Sequence, residues 1–142
     1  MLENILFVEN LIRGGIIASL TIKNTKGIDI LASNSNASKS AGIQVKTTIW
    51  KRQEYPSWVL RDKADDYFSD NLFYIFVLLK PEKERPDFYI VLSIEVAKHT
   101  RTNHQIWLDK IGKKGLQHNN TSMRKFSDKE KRYLERWDLL EL

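Results

Sequence analysis

One stretch of this chain constrains the fold more than any other: the unbroken apolar run Leu72-Phe-Tyr-Ile-Phe-Val-Leu-Leu79. Side chains alternate between the two faces of a strand, so a run with no polar position suits a strand covered on both sides. A second stretch, Phe88-Tyr-Ile-Val-Leu-Ser93, follows across a charged turn at Pro81–Asp87 and reads as its neighbour. Two such strands need helices or other strands above and below them. With 142 residues, 42% of them apolar, the chain is long enough to supply that cover as a single domain, 1–142.

The remaining elements follow from periodicity and punctuation. Leu2–Arg13 carries apolar residues at helical spacing and stops at Gly14-Gly15. Residues 16–22 and 28–32 read as short strands around a turn at Asn24–Gly27. A third strand, 43–50, follows the polar loop Asn34–Ser40, and a hairpin is the simplest connection. Trp58–Leu60 is a short strand or ladder end, and Asp62–Asp70 an acidic, turn-like stretch. A short helix is expected from Glu95 to His99, irregular polar chain over 100–125, and a final helix over 128–140 behind the capping-box pattern Ser127-Asp-Lys-Glu130. The expected fold class is α+β, with helices flanking a mixed central sheet. Its core is residues 1–99, followed by a basic, helical C-terminal segment over 100–142.

Composition removes several classes of function. There is no cysteine, so disulfide scaffolds, thiolate metal sites and cysteine nucleophiles are excluded. No apolar run approaches the roughly 20 residues of a membrane span, and the first residues lack the basic start of a signal peptide. A cytoplasmic protein with no membrane partner is expected. The net charge is +5 and unevenly placed: Lys98–Arg132 holds ten Lys and Arg against Asp109, Asp128 and Glu130, while residues 1–97 are balanced. Such a segment fits nucleic acid, where lysines and arginines displace counterions from phosphate, and equally fits an ordinary solvated basic face.

Polar residues inside the hairpin strands are the candidate site. Asp29 stands between Ile28 and Ile30, while Gln44 and Lys46 alternate with Ile43, Val45 and Thr47. A hairpin centred on 34–40 sets Asp29 opposite the Gln44–Lys46 region, bringing an acid, an amide oxygen and an ammonium onto one patch of sheet. Charged groups on a covered face need a partner, a metal or water. Asp29 and Gln44 offer oxygen ligands that suit Mg²⁺ (or Mn²⁺), and Lys46 could orient a water or stabilise developing charge. An ordinary cross-strand Asp–Lys pair accounts for the same residues. His99, His104 and His118 share no face and make a poor zinc site; the four tryptophans read first as core or rim residues, with Trp50 and Trp58 the best exceptions as base-stacking platforms.

The stretch Gly27-Ile-Asp29-Ile-Leu, followed after a loop by Ile43-Gln44-Val45-Lys46-Thr47, resembles the motif of the PD-(D/E)XK nuclease superfamily. That superfamily includes restriction endonucleases and Holliday-junction resolvases, and the likeness extends over roughly residues 3–99 to its small bacterial members. It implies a restriction-endonuclease-like fold and Mg²⁺-dependent hydrolysis of DNA phosphodiesters. Asp29 would be the principal metal ligand, Gln44 the second, with the Val45 backbone carbonyl also on the metal and Lys46 as the catalytic cation. The opening helix of such proteins often carries a glutamate; Glu3, eleven residues before Gly14, matches best, with Glu9 in reserve. Gln44 stands where an acid is usual. Lys113, Lys114, Arg124 and Lys125 are the expected phosphate contacts, and a homodimer is the expected assembly, since cutting both strands needs two sites. The alternative is a nucleic-acid-binding or protein-interaction module that keeps the fold without useful turnover.

Overall fold

The computed structural model describes residues 2–21, 27–52, 54–81, 84–112 and 114–142, with side chains from Val8 onward. Its elements are α1 (Leu2–Arg13), β1 (Ile17–Leu20), β2 (Ile30–Ser33), β3 (Ser40–Ile49), β4 (Trp58–Arg61), β5 (Leu72–Leu79), β6 (Asp87–Leu92), α2 (Ser93–Asp109) and β7 (Met123–Phe126). Single 3-10 turns lie at Asp62–Asp65 and Trp137–Leu140. The turn expected at Asn24–Gly27 lies largely outside the described residues.

Five strands form one sheet in the order β1-β2-β3-β5-β6. β1, β2 and β3 are successive antiparallel partners, β5 lies parallel to β3, and β6 returns antiparallel to β5. The apolar run is therefore the penultimate strand, and its alternation feeds two cores. Phe73, Ile75 and Val77 face one, with Ile43, Phe88, Ile90 and Leu11 of α1. Tyr74, Phe76 and Leu78 face the other, with Trp58, Leu60, Val96 and Phe126. One sheet face is thus covered by α1 and the C-terminal residues, the other by α2 and a two-stranded ribbon of β4 and β7. This is the α+β arrangement, helices flanking a mixed central sheet, that the sequence implied: an opening helix, an antiparallel three-strand meander and a parallel crossover strand.

Three expectations change. The short helix at Glu95–His99 is the start of α2, which runs to Asp109. Ser93, Val96, Ala97 and Thr100 make its buried stripe, whereas the last two turns bury no residue and so carry no apolar period to read. Trp58–Leu60 does form a strand, but it pairs with β7 rather than joining the main sheet. The final helix over 128–140 does not form. Asp128 accepts the backbone N–H groups of Arg132 and Tyr133, closing a turn, and Lys131 and Glu135 adopt left-handed φ angles of 56° and 54°. The segment then lies along β6: Ile90 N–H donates to Tyr133 O, Glu135 N–H donates to Phe88 O, and Leu134 bridges to Tyr89. An open strand edge has unpaired backbone groups, and covering it outweighs the local helical pattern here.

A buried ion pair ties the ribbon to α2. The Arg124 side chain is 9% exposed and donates through Nε to Asp65 at 3.0 Å, while Asp65 also accepts from Thr100 Oγ1 at 2.8 Å. The rest of the Arg124 guanidinium donates to the carbonyls of Thr121 and Met123. Asp65→Ala leaves a cation buried without its counter-charge, and urea unfolding should show a loss of about 3 kcal/mol. Asp66→Ala, which breaks only the solvent-exposed pair with Arg101, should cost less than about 1 kcal/mol in the same titration.

His99 sits half-buried against the Phe126 ring, centroids 4.7 Å apart. Its Nε2 lies 3.4 Å from Ser127 N and 2.7 Å from Asn103 Nδ2, two donors that suit a neutral ring. Burial lowers its pKa below the usual 6.5, against the opposing pull of Asp128. A folded-state pKa below the unfolded one means that the unfolded chain takes up the proton first, so stability is lost as pH falls through about 6.5. Urea midpoints measured between pH 8 and pH 5 should fall in the native chain, and fall less in His99→Gln.

Candidate active site

The site begins where β2 and β3 part. Their register, Ile30 opposite Ile43, puts Asp29 opposite Gln44, as the hairpin reading required. The backbone of Asp29 is held on both sides: its N–H donates to Ile43 O at 2.8 Å, and its carbonyl accepts from Thr21 N at 2.9 Å. Thr21 Oγ1 adds a 2.6 Å bond to Ile28 O. Just upstream, Gly27 has φ +73°, and a Cβ there would fall 2.3 Å from Tyr67 Oη. Glycine is required by both the angle and the close approach, and Tyr67 Oη donates to Gly27 O at 2.9 Å.

β3 continues past the end of β2 to Ile49, still paired with β5 on its other side. Alternate residues of a strand offer their N–H and C=O groups to alternate neighbours, so Val45 directs both toward the edge that β2 has left. The Asp29 carboxylate occupies that edge, with Oδ2 accepting Val45 N–H at 2.7 Å. No ion pair joins Asp29 to Lys46 among the described residues, so the simple cross-strand pair is not what the hairpin contains. The Val45 side chain packs in the core of the opposite face, leaving only its backbone available at the site.

Gln44 and Lys46 lie beside Tyr74 and Phe76 of β5. They open into a pocket of about 420 Å³, completed by Gly27, Arg61, Lys63, Ala64, Tyr67 and Tyr74. Among the described residues its walls hold three cationic side chains and no carboxylate. Asp29 is not one of the lining residues, yet its charge is felt there: the Tyr67 pKa is raised, first by burial and second by Asp29. Tyr74 is pushed up to about 12 by burial, with Tyr67 adding to the shift. Both phenols therefore stay protonated at neutral pH and remain hydrogen-bond donors.

The other candidates are distributed as follows. The side chain of Glu3 and the whole of Lys113 lie outside the described residues. Glu9 pairs with Arg13 on the exposed face of α1, at 2.6 Å. Lys114 is exposed in the turn after α2, and Lys125 is exposed on β7. Arg124, expected as a phosphate contact, has its guanidinium engaged inside the protein and serves the packing instead. Trp58, a candidate for base stacking, is 1% exposed and donates its ring N–H to Val77 O. Arg61, Lys63, Tyr67 and Tyr74 do not stand out in the sequence. Alternation along Trp58–Arg61 could have pointed Arg61 outward, but Lys63 and Tyr67 lie within a stretch that reads as an acidic turn.

As a metal centre the donor set is hard and sparse. It comprises one carboxylate, the Gln44 amide oxygen and the Val45 carbonyl. No group of three or more His, Asp or Glu side chains able to hold a metal occurs among the described residues. Mg²⁺ accepts such a set because it keeps several waters and takes one or two carboxylates together with substrate phosphate. The residues fit a divalent ion completed by water and substrate, rather than a closed protein cage.

No family model matches the chain, and no curated protein matches it. Among solved structures it is similar to Hjc, a Holliday junction resolvase from Archaeoglobus fulgidus, an archaeal hyperthermophile. The two are 12% identical, with a TM-score of 0.44 over 95% of each chain. No helix among the described residues is long and apolar enough to cross a membrane. The functional reading therefore rests on the site residues themselves.

Asp29 has a structural duty that is separable from its charge. Asp29→Ala orphans the Val45 N–H and should lower stability by about 1–2 kcal/mol, whereas Asp29→Asn, whose Oδ1 can still accept, should lose less than about 1 kcal/mol. Paired urea titrations of the two variants measure the difference.

Proposed function

We propose that this chain is a divalent-metal-dependent nuclease that hydrolyses phosphodiester bonds of DNA. The observation that carries the reading is the placement of Asp29. Its carboxylate is pinned by Val45 N–H at the fork of β2 and β3, in register with Gln44, which lines the pocket together with Lys46. Asp29, Gln44 and the Val45 carbonyl are the ligand set for Mg²⁺ or Mn²⁺, and Glu3 would add an outer carboxylate. A bound divalent ion would supply charge neutralisation at the phosphate and a more acidic water. Lys46 provides fixed positive charge where charge develops on the phosphate. Arg61 and Lys63 line the same pocket and suit the phosphate oxygens. Lys113, Lys114 and Lys125 are proposed contacts to phosphates further along the substrate. A homodimer of this single domain would present two such sites to the two strands, and its proposed location is the cytoplasm.

The second reading, a DNA-binding or protein-interaction module without turnover, draws support from one fact: among the described residues no carboxylate lines the pocket itself. Purified protein incubated with supercoiled plasmid and branched DNA in Mg²⁺ or Mn²⁺ separates the two. The nuclease reading expects nicking that is lost in Asp29→Asn and reduced about 100-fold or more in Lys46→Ala. It also expects Gln44→Glu, which adds a second carboxylate, to lower the Mn²⁺ concentration needed for half-maximal nicking. Nicking that survives both Asp29→Asn and Lys46→Ala overturns the site. Salt-sensitive binding with no nicking selects the module.

A further inference from the structure

The ribbon of β4 and β7 has an inner and an outer face. Trp58, Leu60, Arg124 and Phe126 are buried, so Val59, Arg61, Met123 and Lys125 point outward. The register sets Arg61 opposite Met123 and Val59 opposite Lys125. Arg61 lines the candidate active site, while Met123 and Lys125 line a second cleft of about 340 Å³. One cross-strand pair, Arg61 and Met123, with Cβ atoms about 5 Å apart, therefore contributes a wall residue to each cavity.

The second cleft is walled by flat rings. His104 and Trp107, one turn apart on α2, stack with centroids 5.7 Å apart, and Trp107 stacks on His118 at 4.0 Å. Trp107 nevertheless remains 37% exposed, and Met123 beside it is 53% exposed. Asn103 adds an amide to the wall. The ligand for such a surface must be flat, partly polar and attached to negative charge. An unpaired nucleotide meets each requirement, since every base has a stackable face and its phosphate suits Lys125 and Arg61. In a duplex those base faces are occupied by their neighbours.

We infer that the outer face of the β4–β7 ribbon carries a single-stranded segment of the substrate from the active site to a base-stacking cleft at Trp107. This makes the substrate class DNA with unpaired nucleotides next to the cleaved bond. The inference rests on the nuclease reading for what happens at the pocket, but the binding surface is measurable without cleavage.

Fluorescence anisotropy of labelled oligothymidylate and of a blunt duplex, both in EDTA, provides the test. Native protein should bind the single strand, and Trp107→Ala should weaken that binding about 10-fold while changing duplex binding less than about 2-fold. Trp107→Phe, which keeps a ring, should stay within about 3-fold of native. Lys125→Gln should reduce the slope of log affinity against log salt by about 0.7. Irradiation of native protein with an iodouracil-substituted oligonucleotide should place the crosslink in the peptide that contains Trp107, a readout that does not depend on any variant folding. No binding of the single strand, equal losses on both ligands, or crosslinks confined to other peptides would overturn the inference. If plasmid and branched DNA are never nicked but Trp107→Ala still discriminates, the nuclease reading fails and the strand-binding surface stands. If DNA is nicked and Trp107→Ala changes binding of neither ligand, the strand-binding surface fails and the nuclease reading stands.

Discussion

Everything in this molecule is arranged around a strand that cannot meet water on either face. β5 buries Phe73, Ile75 and Val77 on one side and Tyr74, Phe76 and Leu78 on the other, and each such side chain contributes about 2 kcal/mol through removal from water. That demand fixes the architecture. α1 and the C-terminal residues have to cover one face, α2 and the ribbon the other, and the C-terminal segment has to close the edge of β6. It also determines where polar chemistry is tolerable. Along β3, the neighbour of β5, the residues facing the ribbon change from buried to partly open at Gln44 and Lys46, just where the cover of β4 and the Asp62–Asp65 turn leaves a pocket.

The fork between β2 and β3 solves a backbone problem with a side chain. A strand that loses its neighbour leaves N–H groups without partners, and burial makes that costly. Asp29 fills the missing position on Val45 with a carboxylate oxygen. The same bond holds the acid in one orientation, so the group that completes the ladder also stands beside the strand residues that line the pocket. Positioning by a backbone donor explains how one acid is held without an ion pair among the described residues, and leaves the neighbouring ammonium to a different negative charge.

Legibility in the sequence followed the strength of the physical signal. Where period and punctuation agreed, as over Leu2–Arg13, the hairpin and the two apolar strands, the elements emerge close to their expected limits. The pairing of Asp29 with the Gln44–Lys46 region was readable because a hairpin with a short polar loop has few possible registers. The C-terminal third was not readable in the same way. α2 extends through two turns that bury no residue, where local side-chain bonds such as Gln105 to Asp109 are present but no apolar stripe marks the helix. Ser127–Glu130 has the pattern of a capping box, yet Asp128 uses it to close a turn because the β6 edge competes for the following residues. Arg61, Lys63 and Tyr67 belong to a site only through the packing of the ribbon across the sheet. A contact between β4 and β7, more than sixty positions apart in the chain, leaves no local trace.

The charge distribution of the site links the two ligands it is proposed to hold. Lys46, Arg61 and Lys63 bring three positive charges to the pocket, and among the described residues no carboxylate lines it, the nearby acid being Asp29 opposite Gln44. A divalent cation entering alone meets net repulsion, and a phosphate entering alone meets attraction. Once a phosphate occupies the pocket, it reverses the local sign and contributes oxygen ligands of its own, so the ion then binds to an acid, an amide and a phosphate together. Substrate and metal would therefore strengthen each other's binding, and because that coupling is reciprocal the ion must in turn tighten the hold on substrate. An amide rather than a carboxylate at Gln44 would increase this dependence, since it contributes no charge to hold the ion in advance. A site that worked this way would have little hold on metal until the right nucleic acid arrived, which would restrict its chemistry to the substrate that supplies the missing charge.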